Sequence, residues 1–260
     1  KTVLTSDSTM GHTAPAGTKV TLTDTVSYDG LIPGKTYVMS GTLYFVDKNG
    51  KALLDEDGNK IPVRDSEGNV IVSNVEFVPE NTTGIVAVEF VIDSTLLMGE
   101  TIYCEENCYR DERLVGFHHE VVPDQTAFVP EVFTQFYDRN LGDEYDCTSY
   151  GSVTLVDKVT VANISAGTYE VTGTIHLKSN GEALKDQNGK VISSTTVFEV
   201  SEDELINGCC TKNVEVVFEN VDVTKLEGES LVCFENLTSV GVTLVTHEDL
   251  EDGEQTVRVP

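Results

Sequence analysis

Apolar and polar residues alternate along most of this chain. Val20, Leu22, Asp24, Val26 and Tyr28 interleave with Thr21, Thr23, Thr25 and Ser27, a period of two that predicts a half-buried strand with β-branched residues on its outer face. Val153, Leu155, Asp157 and Val159 repeat it. Ile85–Ile92, Thr168–Leu177, Val214–Phe218 and Ser230–Phe234 read the same way. Pro33-Gly34, Asn49-Gly50, Asp57-Gly58, Asn180-Gly181 and Asn188-Gly189 punctuate these runs, and Asn-Gly or Asp-Gly between extended segments signals hairpins. No stretch holds a long helical period. Short helical turns are predicted at Asp93–Met98 and Ser201–Leu205, where Asp or Ser can cap. The pattern predicts an all-β protein of immunoglobulin-like β-sandwiches.

The pattern also occurs twice. Val20-Thr-Leu-Thr-Asp24 maps to Val153-Thr-Leu-Val-Asp157, Gly34-Lys-Thr-Tyr37 to Gly167-Thr-Tyr169, Asn49-Gly50 to Asn180-Gly181, and Leu97-Met-Gly99-Glu to Leu226-Glu-Gly228-Glu. Two tandem domains follow, 1–126 and 127–260, joined with almost no linker around Phe128-Val-Pro130. The longest insertion, Pro62–Gly68, falls in a polar turn of the first copy. Domains of this size can each bury a core.

A net charge of −27, from 17 basic and 44 acidic residues, excludes nucleic acid and an anionic membrane surface as natural partners; high solubility is its simplest meaning. No apolar run has the length of a membrane span, and no signal peptide is read, so the chain is expected to be a mature piece or an excised segment. Sequons occur at Asn81, Asn163 and Asn236. Of the six cysteines, Cys104 and Cys233 hold equivalent positions in strand-like runs and read as small buried hydrophobes. Cys104 and Cys108 are four apart, but no second pair has zinc-ligand spacing, so no metal or other cofactor is expected. Cys147 could pair with Cys209 or Cys210. Asp55-Glu-Asp-Gly-Asn fails the calcium-loop pattern and reads as a turn.

The remaining polar residues are a set of parts for covalent chemistry. Each copy opens with a Thr in an extended segment (Thr5, Thr134), carries a carboxylate in an apolar row (Asp24, Asp157) and a second one later (Glu106, Glu235), and closes on a His and a Gln (His119 and Gln125, His247 and Gln255). Strand parity points each of them toward a core: Thr5 with Val3, Thr134 with Val132 and Phe136, Gln125 with Ala127, Gln255 with Val257. His119 is in phase with Val115 and Phe117, which favours it over His118. A lone buried carboxylate is costly, and two together hold a proton at neutral pH. A satisfied polar network in each sandwich accounts for the same parity.

The order of a Thr in the first strand, the Asp24 and Asp157 strands, Cys233-Phe-Glu235-Asn-Leu, and His247-Glu-Asp249 followed by Gln255-Thr256 resembles the intramolecular Thr-Gln ester-bond domain, or VaFE repeat, of Gram-positive surface adhesins. The resemblance covers nearly all of both copies. It implies self-made esters from Thr134 to Gln255 and from Thr5 to Gln125. His247 or His119 would serve as base, and the pairs Asp157 with Glu235 and Asp24 with Glu106 would stabilise the developing charge. One turnover per domain means the chain is not an enzyme in the usual sense. The implied role is a stalk segment of an adhesin, monomeric, flanked by further repeats, outside the cell and anchored to the cell wall, with no direct membrane contact and with an unknown host ligand. A ligand-binding adhesin module is the alternative, and a hydrolase using the same set is a third. The first copy departs from the pattern: Glu105 stands where the family prefers Phe, and His119 to Gln125 spans six positions against eight for His247 to Gln255.

Overall fold

A computed structural model describes residues 1–142 and 145–260. The chain divides into two compact units, Lys1–Pro130 with Asn163–Ala166 and Ser201–Cys210, and the remainder. Each is a β-sandwich, and the two have the same strand plan.

In the first unit the strands are β1 (Thr2–Ser6), β2 (Lys19–Asp29), β3 (Tyr37–Phe45), β4 (Val72–Phe77), β5 (Thr83–Asp93), β6 (Thr101–Arg110), β7 (Arg113–His118) and β8 (Thr126–Phe128). One sheet runs β1-β2-β5, and the other runs β4-β3-β6-β7 with β8 also on β6. All these pairings are antiparallel. Because β8 hydrogen-bonds to β6, the first unit continues past the boundary at 126 that the repeat suggests. In the second unit β9 (Glu131–Asp138), β10 (Ser152–Ile164) and β13 (Cys210–Asp222) form one sheet in the order β13-β10-β9. The other is β12 (Ser193–Val200), β11 (Gly167–Leu177), β14 (Ser230–Ser239) and β15 (Val242–His247), with β16 (Thr256–Arg258) on β14.

The alternation read along β2 is the burial pattern observed: Val20, Leu22, Asp24 and Val26 are buried while Thr21, Thr23 and Thr25 are half-exposed. They meet Met39, Leu43, Val88, Phe90, Ile102 and Cys104 in the first core. Val153, Leu155, Val159, Val171, Ile175, Val216 and Phe218 are the buried counterparts in the second unit. The two predicted helical turns are single 3-10 turns. Ser94–Leu96 is capped by Asp93, whose carboxylate accepts from the Thr95 amide. Glu202–Glu204 is closed by a Ser201/Glu204 capping box.

The Asp-Gly and Asn-Gly stretches are Asx turns. Asp55 accepts from the amides of Asp57 and Asn59 at 3.0 and 2.8 Å, and Asp186 accepts from those of Asn188 and Lys190. These backbone donors hold both carboxylates below their ordinary pKa. No disulfide forms among the described residues, so the pairing considered for Cys147 is not made.

Gly41 and Gly173 hold matching places in β3 and β11, where the opposing sheet comes close. A Cβ on Gly173 would lie 2.8 Å from the Phe218 ring and 3.1 Å from the Cys233 sulfur, and one on Gly41 would lie 2.6 Å from the Phe90 ring. Overpacking of this kind costs about 1–3 kcal/mol. Gly173→Ala should therefore lower the thermal midpoint of its domain, whereas Gly253→Ala, whose Cβ meets nothing within 4 Å, should leave it nearly unchanged. Equal midpoints in the two variants would refute this account of the close approach.

Candidate functional site

The site in each sandwich is set by strand register. Across the long sheet, Gly41, Glu106 and His118 stand opposite one another on β3, β6 and β7. Gly173, Glu235 and His247 do the same on β11, β14 and β15. The glycine leaves room where the other sheet presses in, the glutamate points inward, and the histidine sits at the rim. In the short sheet, Asp24 is opposite Leu4 with Thr2 opposite Val26, and Asp157 is opposite Phe136 with Thr134 opposite Val159. Counted from the aspartate, Thr2 and Thr134 therefore occupy the same position.

This register corrects two residues expected from parity. Thr5 is not at the site: it stands opposite Thr23 on the outward face, where its hydroxyl reaches the Thr23 carbonyl at 3.5 Å. The inward row of β1 is Thr2, Leu4 and Ser6, and a one-residue slip moves a whole row to the other face. Thr2 is only 4 % exposed, and its buried hydroxyl has no hydrogen-bond partner. Nor is His119 at the site. It is exposed, bonded to Asn107 Oδ1 at 3.0 Å and packed on the Phe117 ring. Val115 and Phe117, which gave it its phase, are themselves 47 % and 68 % exposed. His118 takes the position, its Nδ1 lying 3.7 Å from Glu106 Oε2.

The other expected residues come together. In the second unit, the Thr134 hydroxyl donates to Asp157 Oδ1 in a close contact. Gln255 Nε2 donates to Glu235 Oε2 at 2.5 Å and to the His247 carbonyl at 3.0 Å, and its Oε1 accepts from the Asp249 amide at 3.3 Å. His247 Nδ1 lies 3.3 Å from Glu235 Oε2, and its Nε2 lies 3.3 Å from Asp252 Oδ2. In the first unit, Gln125 Nε2 donates to both Glu106 oxygens, at 2.8 and 3.0 Å, and to the Cys104 carbonyl at 3.3 Å. Its Oε1 is buried without a donor. Both glutamines lie just before the last strand, Gln125 at the end of the 3-10 turn Pro123–Gln125.

The carboxyls are deeply buried: Asp24 and Asp157 are fully enclosed, and Glu106 and Glu235 nearly so. Desolvation, together with the neighbouring acid, raises Asp157 and Glu106 well above the carboxylate range. Desolvation also raises Asp24, and pushes Glu235 up to about 7. Each pair therefore carries a proton near neutrality. Cys104 and Cys233 belong to the same clusters, each sulfur within 4.8 Å of the ligand atoms of its two acids. Burial raises both thiols, so they stay neutral. Sequence reasoning missed Cys104 and Cys233 as members of the site, and Asp252 as the partner of His247. Their cues are the place of each Cys two residues before the Glu and of Asp252 three before the Gln.

Chemically, the arrangement aims a threonine hydroxyl hydrogen at one buried carboxyl and an amide nitrogen at the other. In the second unit Asp157 rather than His247 receives the hydroxyl. The imidazole stands behind Glu235, half-exposed, between that acid and Asp252.

These shifts set a pH dependence. A carboxyl whose folded pKa is raised binds its proton more tightly in the native state, so its stabilisation is full below the unfolded value of 4.5 and is lost as pH rises through the folded value, about 7 for Glu235. The Asx-turn acids are lowered from 3.8, so their contribution is complete by pH 5. A chain with both Thr2→Val and Thr134→Val should thus lose on the order of 2–3 kcal/mol in the second domain between pH 5 and 8, measured by urea denaturation. Stability that rises over this range would contradict the shared buried proton.

The family described as "T-Q ester bond containing domain" matches residues 1–128 and 130–259. No curated protein sequence matches the chain. Among solved structures, a bacterial adhesin from Mobiluncus mulieris, described as containing intramolecular disulfide, isopeptide and ester bond cross-links, aligns at 16 % identity over 49 % of this chain and 56 % of its own, with a TM-score of 0.37. A second crystal form gives 16 %, 50 %, 56 % and 0.36. A β-glucuronidase of Bacteroides uniformis aligns at 12 % identity over 87 % of this chain and 25 % of its own, with a TM-score of 0.32. The chain thus spans little more than half the length of that adhesin, and likenesses this loose carry no argument about the site. The family match alone covers nearly every residue of both sandwiches, and by it the chain belongs to the T-Q ester bond containing domains, twice over.

Proposed function

We propose that each sandwich closes one ester after folding, Thr134 to Gln255 and Thr2 to Gln125, and that the chain is a load-bearing stalk segment of a bacterial surface adhesin. The observation that carries this is the pairing in the second unit of Thr134 with Asp157 and of Gln255 Nε2 with Glu235, both acids buried. Asp157 takes the hydroxyl proton as the Thr134 oxygen attacks the Gln255 side-chain carbonyl. The Asp249 amide stabilises the oxyanion. Glu235 delivers a proton to the departing nitrogen, so the acid pair gains one proton from Thr134 and gives one up. One C–O bond forms, one C–N bond breaks and ammonia leaves. The site is consumed, so no turnover on outside substrates is expected.

The placement of the bond supports a mechanical role. The threonine lies on the edge strand of one sheet and the glutamine beside the last strand of the other, so the ester ties the two ends of the domain across its core. It closes a loop of over a hundred residues and removes unfolded-state entropy as a disulfide of that span does, about 4–5 kcal/mol, with no cysteine oxidised. The natural partners are neighbouring repeats of the same adhesin on the cell wall, with the stalk segment itself monomeric.

Intact-mass spectrometry of the reduced chain should show the loss of two ammonia molecules, and digestion should yield peptides joined through Thr2/Gln125 and Thr134/Gln255. Thr2→Val should restore one ammonia and Thr134→Val the other, while Thr5→Val should restore none. During refolding the second ester should form first, because only Gln255 has a donor on its carbonyl oxygen. A full unmodified mass would defeat the proposal, and a cross-link lost in Thr5→Val would defeat the assignment to Thr2.

A further inference from the structure

The two copies differ in what their buried acids hold. In the second unit Asp157 accepts from Thr134, Glu235 accepts from Gln255, and His247 lies between Glu235 and Asp252. In the first unit both Asp24 oxygens are fully enclosed with no hydrogen-bond donor, where Asp157 lacks one on a single oxygen, and the buried His118 Nδ1, like His247 Nδ1, has none. Around them, Asp24, Cys104 and Glu106 each offer a ligand atom within 4.8 Å of the others, and His118 Nδ1 lies 3.7 Å from Glu106 Oε2. A cavity of about 240 Å³ lined by Thr2, Met39, Glu106, Cys108 and His118 reaches this cluster.

We propose that the first domain, before its ester closes, binds one zinc-class divalent cation through Asp24, Glu106, the Cys104 thiolate and His118 Nδ1. One sulfur, one imidazole and two carboxylates are a donor set suited to a tetrahedral, borderline-soft ion rather than to calcium or magnesium. The cavity supplies the entry path. Binding expels the shared carboxyl proton and the thiol proton, and with them the acid that the departing amide nitrogen needs, so the loaded domain is held open. The second domain has the matching cluster of Asp157, Cys233 and Glu235, but there Thr134 already holds one Asp157 oxygen and His247 Nε2 faces Asp252, so the proposal is confined to the first domain.

The proposal uses the side chains of the proposed ester, but the two fail separately, since the wild-type mass reports the ester and the metal is read on a chain that cannot close it. Thr2→Val is treated with chelator, exchanged into zinc chloride and weighed by native mass spectrometry. One zinc is expected. Adding Cys104→Ala or, on the half-exposed rim, His118→Gln should weaken it by at least about tenfold. Cobalt(II) in place of zinc should show thiolate charge-transfer absorption that Cys104→Ala removes. The wild-type chain with both esters closed should bind none. No zinc on Thr2→Val, or zinc bound equally by the Cys104 and His118 variants, as scattered surface carboxylates would bind it, overturns the proposal.

Discussion

Each sandwich is organised around two carboxyl groups that share one proton in an apolar core. Enclosing Asp157 and Glu235 among Val153, Leu155, Val159, Phe218 and Leu237 would be prohibitive if both were charged. With one proton between them, the pair becomes a neutral-to-singly-charged unit that needs donors, and the threonine hydroxyl and glutamine amide are the donors supplied. The glycine opposite each glutamate is part of the same constraint, since a side chain there would press on the phenylalanine of the facing sheet and on the cysteine beside the acids. The fold thus places the pair where the Thr134 hydroxyl and the Gln255 amide relieve it.

Much of this was legible in the chain. The period-two rows of β2 and β10 contained the buried aspartates, and the long repeat aligned the glutamates and glutamines. What failed was phase in short segments. β1 has five residues and no polar alternation to fix its face: Val3 and Leu4 are both apolar, and only Leu4 is fully buried. In β7, Leu114, Val115 and Phe117 are all exposed, so apolarity there carries no directional information, and a bulge opposite Cys108/Tyr109 shifts the register. The interval to the aspartate carried the better signal: 22 positions from Thr2 to Asp24 against 23 from Thr134 to Asp157, where Thr5 gives 19.

The departures of the first copy have physical readings too. Glu105, in place of the family's Phe, is buried and satisfied by Lys60 and by the Tyr103 hydroxyl at 2.7 Å, so an ion pair fills what an aromatic ring would fill. With His118 as the site histidine, the interval to Gln125 is seven positions against eight in the second copy. The shorter loop brings no backbone amide to the Gln125 carbonyl oxygen. The same repeat therefore holds one site in which threonine and glutamine both engage the acids and one in which the threonine hydroxyl and the aspartate are left without partners.

The spacing of the two bonds along the chain has a further consequence. With both esters closed, each sandwich is a covalent ring, and tension applied at the ends can lengthen only the segments outside the rings. Between them that segment is 126–133, the residues separating Gln125 from Thr134. At about 3.6 Å per residue, fully extended, the nine steps from Gln125 to Thr134 span no more than ~32 Å. Under load such a chain behaves as two inextensible links on a short tether. Its extension is then set by that tether, while the stability of the folds themselves drops out.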